Sequence, residues 1–244
     1  MKSEHHISKR FGLARVISKM GLASRTQASK WIHEGLVQVN GKTITNDEYP
    51  VRIHIDKVSI SQQQAVAQQR IVLMLNKPRG LVTTRSDEQQ RATVYDCLSS
   101  DLPWLAPVGR LDKASEGMLL MTNDPVWAAS ITSPETGPDK TYHVQVNAIP
   151  CLSQLSAMLE GVNTELGQLR VKHVSLLRRG EKNAWLEITL DEGQNRQIRR
   201  VLQAFDIEVL RLIRVAIGRL QLGDLPKGQW RILQDDELPL LNNP

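Results

Sequence analysis

Cysteine, aromatic residues and long apolar runs are all scarce in this sequence. Its 244 residues include 2 cysteines, Cys97 and Cys151, and their wide separation argues against a disulfide framework and a zinc site. No stretch approaches the length of a membrane span, and the N-terminus lacks the apolar core of a signal peptide. We therefore expect a soluble, cytoplasmic protein that binds neither a membrane nor a metal ion.

Positive charge is abundant, with a formal net charge of +5. The basic residues concentrate in two stretches. The first contains Lys2, Lys9, Arg10, Arg15, Lys19, Arg25 and Lys30 against the single acid Glu4, and the second contains Arg196, Arg199, Arg200, Arg211, Arg214 and Arg219. Two separated basic stretches favour a long, shaped polyanion such as folded RNA over a small metabolite. The alternative is a pair of solvated faces without a ligand.

The chain is long enough for a core of ordinary size and a second, smaller domain. Residues 62–70 are polar, rich in glutamine and of low complexity, so we expect a linker between a domain over 9–61 and a domain over 71–244. In the larger segment, strand and helix patterns follow one another without regular alternation. This favours an α+β domain on a mixed, mostly antiparallel sheet with flanking helices, preceded by a small α/β domain.

Local patterns predict the individual elements. In the first segment we expect a helix over Arg10–Lys19, a second helix opened by a capping box at Ser24 and closed by Gly35, and a hairpin at Asn40–Gly41. In the second segment we expect strands at Ile71–Leu75, Lys140–Val146, Leu169–Leu177 and Ala184–Leu190, and helices at Pro125–Ile131, Leu152–Leu159 and Asn195–Phe205.

The segment Gly109–Gly117 contains the strongest candidate for chemistry. Asp112 lies between Arg110 and Lys113, and nearby cations favour the ionised form of a carboxyl group. An ionised carboxylate can act as a nucleophile or a general base. The alternative is a surface turn in which Asp112 simply pairs with one of its two cationic neighbours.

A second group of candidates lies between Lys140 and Arg200. Tyr142 is one of only 3 tyrosines, and it lies in a basic strand, where it is either a stacking platform or an ordinary half-buried strand residue. Arg196, Arg199 and Arg200 have the i, i+3, i+4 spacing that would place them on one helical face. Such a face could grip phosphates through bidentate contacts, or it could be solvated.

These motifs resemble those of the RsuA-type ribosomal RNA pseudouridine synthases. The similar segments occur in the family's order and are Asn76–Gly80, Gly109–Asp112, Lys140–Val144, Asn195–Arg200 and Leu210–Arg214. Upstream, Gly21–Arg25, Ile32, Gly35 and Val37–Gly41 resemble an S-four-type RNA-binding domain. The resemblance extends from about Leu13 to Leu233.

The resemblance implies roles for individual residues. Asp112 would be the catalytic nucleophile, Tyr142 would stack on the target base, and Arg199 would pair with the aspartate and align it. Arg110 would occupy the space vacated by a flipped nucleotide. The expected RNA contacts are Arg110, Arg196, Arg200, Arg25, Lys30 and Lys77.

The implied reaction converts a uridine of ribosomal RNA to pseudouridine after base flipping, with no metal and no cofactor. The segments Leu210–Arg214 and Gly223–Gly228 favour large-subunit (23S) RNA, either free or in a pre-ribosomal particle, as the partner of a monomer. The alternatives are a non-catalytic ribosome-assembly factor and a transfer RNA pseudouridine synthase. A glycosidase pairing Asp112 with Glu116 is disfavoured, because we expect Glu116 in an exposed turn.

Overall fold

A computed structural model describes residues 10–20, 22–23, 25–53, 55–61, 70–84, 87, 89–165 and 167–241. The chain divides into two compact units. One extends to Arg70 and includes Asn123–Trp127, and the other contains Ile71–Thr122 and the chain from Ala128 onward. None of the helices in the described part of the chain has the length and apolar character needed to span a bilayer.

The first unit contains short helices and strands around a small apolar core. Its elements are β1 (Arg10–Gly12), α1 (Leu13–Lys19), α2 (Arg25–His33), β2 (Val37–Val39), β3 (Lys42–Thr43), β4 (Pro50–Arg52) and β5 (Val58–Ile60). Strands β3, β2 and β5 form one antiparallel sheet, and β1 pairs with β4. Leu13, Ile17, Ile32, Val37 and Val51 are fully buried between these elements.

Sequence patterns predict this unit well, with one boundary difference. The first helix begins at Leu13 rather than Arg10, because Arg10–Gly12 pairs with β4. The Asn40–Gly41 hairpin is confirmed, and both residues have the positive φ angles, 51° and 80°, that a two-residue hairpin turn requires. Ser24, the expected cap of the second helix, lies outside the described residues.

The remaining elements follow residues 62–69, which make up most of the expected linker and lie outside the described part of the chain. They are β6 (Val72–Lys77), β7 (Ala106–Pro107), β8 (Glu116–Thr122), α3 (Pro125–Thr132), β9 (Lys140–Val146), α4 (Leu152–Glu160), β10 (Val162–Thr164), β11 (Gly167–Leu169), β12 (His173–Arg179), β13 (Ala184–Leu190), α5 (Gln197–Gln203), β14 (Val209–Ile217), β15 (Leu220–Gln221) and β16 (Trp230–Ile232).

One large sheet organises the second unit, in the order β12-β13-β9-β14-β8-β6-β16, with β7 added to β8 and β15 to β14. Strands β14 and β8 are parallel, and the other pairs are antiparallel. The expected mixed, mostly antiparallel α+β fold is therefore confirmed. Strands β6 and β8 are buried along their whole length, whereas β9 and β13 alternate between buried and half-buried residues.

Two expectations in this unit need correction. The strand expected over Leu169–Leu177 is interrupted, because β11 pairs with β10 in a separate hairpin while β12 joins the large sheet. Helix α4 forms as expected, but of its apolar stripe only Met158 is buried, and Leu152 is 83% exposed. An apolar repeat predicts the helix, but it does not show how much of that face is covered by other elements.

Candidate active site

The loop between β7 and β8 exposes the Asp112 side chain at the surface, while hydrogen bonds fix the backbone of the loop. The Asp112 side chain is 40% exposed. Its carbonyl oxygen accepts hydrogen bonds from the Ser115 amide at 3.0 Å and from the Lys77 ammonium at 3.2 Å. One residue earlier, the Thr83 hydroxyl donates to the Leu111 carbonyl at 2.8 Å. The loop is therefore fixed on both sides of the carboxylate.

Lys77 is an internal support of this loop. Its side chain is fully buried, and the ammonium donates to the carbonyls of Pro78, Asp112 and Ser115. Burial lowers the pKa of Lys77 to about 8, against the opposing charges of Asp112 and Glu116. Lys77 was expected to contact RNA, but the structure encloses its ammonium among these carbonyl acceptors, which places it in the support of the loop.

A cavity of about 330 Å³ brings the expected catalytic residues together. Asp112 enters it from the loop before β8, Tyr142 from β9 and Arg199 from α5. Arg110 and Arg196 line the same space. Tyr142 is 9% exposed, so its ring contributes to the wall of the cavity while most of its surface is packed. Residues far apart in the sequence thus share one concave site.

The ion pair at Asp112 differs from the expected one. Arg196 Nη1 lies 3.4 Å from Asp112 Oδ2, whereas Arg199 Nη1 donates to the Val209 carbonyl at 3.1 Å. Arg199 Nε is buried and has no hydrogen-bond acceptor among the described residues. Burial lowers the pKa of Arg199, as does the nearby Arg196, while Asp112 acts in the opposite direction. Arg199 is thus close enough to feel the Asp112 charge without bonding to it.

The expectation that three arginines share a helical face is wrong. Arg196 precedes α5 in a left-handed conformation, with φ 53° and ψ 29°, so helical spacing does not apply to it. Arg199 faces the Asp112 cavity, but Arg200 faces a different one, lined also by Asn163, Thr164, Glu165, Gln203 and Ala204. Arg200 is therefore separate from the site that contains Asp112.

Glu116 is buried, contrary to the expectation of an exposed turn. It is the first residue of β8 and is only 3% exposed. Arg211 donates to both of its oxygens, at 3.0 and 3.1 Å, and Lys227 also pairs with it. Burial favours the neutral acid, but the hydrogen bonds from Arg211 and Lys227 outweigh this, and the pKa of Glu116 is lowered. Its charge is thus committed to structural partners.

Two cations of the cavity were not singled out as site residues from the sequence. Lys140 and Arg214 line it beside Tyr142, and Arg214 is only 5% exposed. A signal was present, because Lys140 belongs to the Tyr142 motif and Arg214 to the second basic stretch. Arg25 and Lys30, the other expected RNA contacts, lie on α2 of the first unit with exposed side chains.

Both segments of the chain match known protein families. The family described as RNA pseudouridylate synthase matches residues 71–204, and the S4 domain family matches residues 11–54. A solved structure described as a pseudouridylate synthase superimposes with a TM-score of 0.68 at 27% identity, covering 95% of this chain and 99% of the other.

Similar proteins are also found among bacterial sequences. The ribosomal large subunit pseudouridine synthase B of Bacillus subtilis is 33% identical, over 94% of both chains. The protein of the same name from Salmonella typhi is 35% identical, over 89% of this chain and 77% of its own. An uncharacterized RNA pseudouridine synthase of Aquifex aeolicus is 35% identical, over 93% of this chain and 92% of its own.

Proposed function

This chain belongs to the RNA pseudouridine synthase family, and we propose that it isomerises a uridine of ribosomal RNA. The observation that carries the proposal is the shared cavity of Asp112, Tyr142 and several cations. The cavity combines the half-exposed carboxylate of Asp112, the aromatic ring of Tyr142 in its wall, and cations that can bind a polyanion. The names of the similar bacterial proteins favour large-subunit (23S) RNA as the substrate.

In the proposed reaction the target nucleotide leaves its stack and enters the cavity. Tyr142 stacks on the base. Asp112 acts as the nucleophile on the sugar or the base, and the bond that it forms breaks again before the product leaves, which regenerates the carboxylate. The bond from N1 to C1′ breaks, a bond from C5 to C1′ forms, C5 loses its proton and N1 gains one. The atoms and electrons balance without an oxidant or reductant. We assign Arg110 to the gap left by the flipped nucleotide, with its guanidinium plane stacked in the RNA.

The cations around Asp112 have separate proposed tasks. Arg196, 3.4 Å from the carboxylate, orients it before RNA binds. Arg199 adds positive charge from within the wall, and it is the residue that the family resemblance pairs with the aspartate. Arg200 lies outside this cavity, and we retain it as a contact to RNA phosphates beyond the target nucleotide.

We further propose that residues 9–61 form the RNA-docking domain, with Arg25 and Lys30 on its exposed face, and that 71–244 form the catalytic domain. The segment 62–70 would be the linker. The enzyme would act as a cytoplasmic monomer on free ribosomal RNA or a pre-ribosomal particle. The matching S4 domain supports RNA contact by the first segment.

Pseudouridine mapping tests the function directly. Ribosomal RNA is incubated with the protein or with Asp112→Asn, labelled with carbodiimide and read by primer extension. We expect one new site with the parent protein and none with the variant. If the parent protein modifies neither free RNA nor pre-ribosomal particles but still binds them, the alternative of a non-catalytic assembly factor replaces this proposal.

A further inference from the structure

The wall of the Asp112 cavity carries two cations beside Tyr142. Lys140 and Tyr142 belong to the same strand, β9, and Arg214 lies directly opposite Tyr142 on β14. All three residues line the cavity. Burial lowers the pKa of Lys140, and the charge of Arg214 lowers it further, so the two cations act on each other. Positive charge is thus concentrated where the base is expected to stack.

Arg214 is held in place although one of its donors is unsatisfied. Its Nε donates to the Met118 carbonyl at 2.7 Å, which fixes the plane of the guanidinium. Nη2 is buried and has no acceptor among the described residues. A buried, unpartnered donor of an ionised group is costly, so such groups often have a functional reason.

Gly117 shows that this placement is built into the backbone. It lies opposite Arg214 in the parallel pairing of β8 with β14, with φ +98°. A Cβ at this position would lie 2.3 Å from the Arg214 carbonyl oxygen. Only glycine therefore allows the two strands to approach this closely, which brings Arg214 next to the strand that continues from the Asp112 loop.

Other cations near the site already have carboxylate partners. Arg211 and Lys227 pair with Glu116, and Arg196 pairs with Asp112. Within the described lining of the cavity, cations outnumber acids. The acids are Asp112 and Glu192, and the cations are Arg110, Lys140, Arg196, Arg199 and Arg214. The cavity therefore has more positive charge than its own carboxylates neutralise, and the excess can stabilise negative charge on a bound substrate.

We propose that Arg214, together with Lys140, stabilises the negative charge that develops on the target base when the N1–C1′ bond breaks. The bond's electron pair remains on the base and spreads over N1, O2 and O4, and the same charge is used when C5 attacks C1′. Fixed cations in a site shielded from water stabilise such charge strongly. This inference rests on the proposed isomerase function. It places Arg214 near the carbonyl oxygens of the target base, O2 and O4.

The test compares substrates whose bases differ in how well they carry negative charge. A short ribosomal RNA containing the mapped target is prepared with uridine or 5-fluorouridine at that position. Fluorine withdraws electrons and lowers the basicity of the departing nucleobase anion, so fluorouracil is a better leaving group than uracil. Single-turnover consumption of the target nucleoside at saturating RNA is measured for wild type, Arg214→Lys and Lys140→Met. Lys172→Met is the control, since Lys172 pairs with Asp139 and does not line the cavity.

We expect Arg214→Lys and Lys140→Met to slow consumption of uridine by about 10²-fold, the usual effect of removing one stabilising donor. With 5-fluorouridine the rate loss should shrink to about tenfold or less, because the negative charge on fluorouracil depends less on stabilisation by these cations. Lys172→Met should match wild type on both substrates. For each variant we compare the ratio of its uridine rate to its 5-fluorouridine rate. Partial unfolding would lower both rates equally and leave this ratio unchanged.

Equal losses on uridine and 5-fluorouridine would overturn the inference and leave Arg214 a structural residue. A loss of RNA affinity with unchanged rates at saturation would also overturn it, because Arg214 would then act only in binding. Failure of the isomerase proposal itself is a different result, in which wild type consumes neither nucleoside.

Discussion

Arg196 Nη1 lies 3.4 Å from Asp112 Oδ2, and this contact joins the turn before α5 to the loop before β8. Both side chains are about half exposed, with 51% of the Arg196 side chain and 40% of the Asp112 side chain open to solvent. An ion pair in water contributes little to stability, about 0–1 kcal/mol. Its importance is therefore expected in the orientation of the carboxylate rather than in folding.

Replacing Arg196 should affect the reaction more than the fold. We expect Arg196→Gln to lower the single-turnover rate at saturating RNA by about 10- to 100-fold, since a misplaced reacting group can cost that much. Arg196→Lys should recover part of the loss, because lysine keeps the charge but not the planar fork. Thermal unfolding serves as the control and should shift little. A normal rate with Arg196→Gln but a slow rate with Arg199→Gln would assign the orienting role to Arg199 instead.

Tyr142 should act mainly through its ring. Stacking of a base on an aromatic side chain is worth about 1–3 kcal/mol, or roughly 5- to 150-fold. We expect Tyr142→Leu to lose that factor in rate and Tyr142→Phe to stay within about threefold of wild type. Because Tyr142 is largely buried, denaturant unfolding of both variants must accompany the kinetics. A Phe variant as slow as the Leu variant would mean that the hydroxyl, rather than the ring, is required.

Local sequence patterns account for much of this fold. Strands β9 and β13 have the bounds expected from their alternation, since burial of one sheet face imposes a period of two. The shared cavity of Asp112, Tyr142 and Arg199 was expected only because the motifs resemble a family. No spacing within a strand or helix reveals which loop meets which helix.

The features that the sequence did not predict depend on distant contacts. Glu116 is buried because Arg211 and Lys227, 95 and 111 residues away, neutralise it. Arg196 leaves the helical face because it adopts a left-handed turn before α5. Lys77 turns inward because the Asp112 loop supplies carbonyl acceptors. A charged residue next to a turn is usually assigned to the surface, and Glu116 and Lys77 contradict that expectation because specific distant partners bury them.

Lys77 should make stability depend on pH in the alkaline range. Its pKa is lowered from 10.5 to about 8 in the folded protein, chiefly by burial. Between these values the unfolded chain binds more protons, so the free energy of unfolding should rise with pH from about 8 toward 10.5. Below about pH 8 both states are protonated and this contribution is constant.

Lys77→Met provides the comparison for that pH dependence. The difference in unfolding free energy between wild type and Lys77→Met, measured in urea at pH 7, 8, 9 and 10, should grow in favour of wild type above pH 8. At pH 7 the variant should also be less stable by about 1–3 kcal/mol, because buried carbonyls lose their donor. A pH-independent difference would show that the Lys77 proton is not coupled to folding.

Glu116 should be important for stability. Glu116 is only 3% exposed, but its partners Arg211 and Lys227 are 35% and 56% exposed, so water can solvate their charges once the carboxylate is removed. The expected cost is therefore that of lost hydrogen bonds to a charged group, about 1–3 kcal/mol. We expect a loss of that size in Glu116→Gln, measured by denaturant unfolding at pH 7. Its lowered pKa gives stability that is present above the unfolded value of about 4.5 and is lost as pH falls through the folded value.

Glu187→Gln is the matched control for Glu116. Glu187 pairs with His143 at 3.4 Å, but its side chain is 34% exposed, so its loss should cost less than about 1 kcal/mol. Similar losses in the two variants would mean that the burial of Glu116 adds nothing to its contribution. A wild-type rate in a folded Glu116→Gln protein would also show that Asp112 needs no second carboxylate.

Arg25 and Lys30 should affect RNA binding without affecting the chemical step. Both are exposed on α2, and Lys30 has only a loose pair with Glu34, at 3.8 Å. If each neutralises one phosphate, Arg25→Gln with Lys30→Gln should flatten the slope of log affinity against log salt by about 1.5–2 units. The rate at saturating RNA should remain near wild type, because neither residue lines the Asp112 cavity.

Lys42→Gln with Lys57→Gln is the matched control for this pair. It removes the same charge from exposed positions elsewhere in the same unit and should leave the slope closer to wild type. Equal flattening by both pairs would indicate diffuse attraction by net charge, and it would remove the reason to assign RNA contact to α2 in particular.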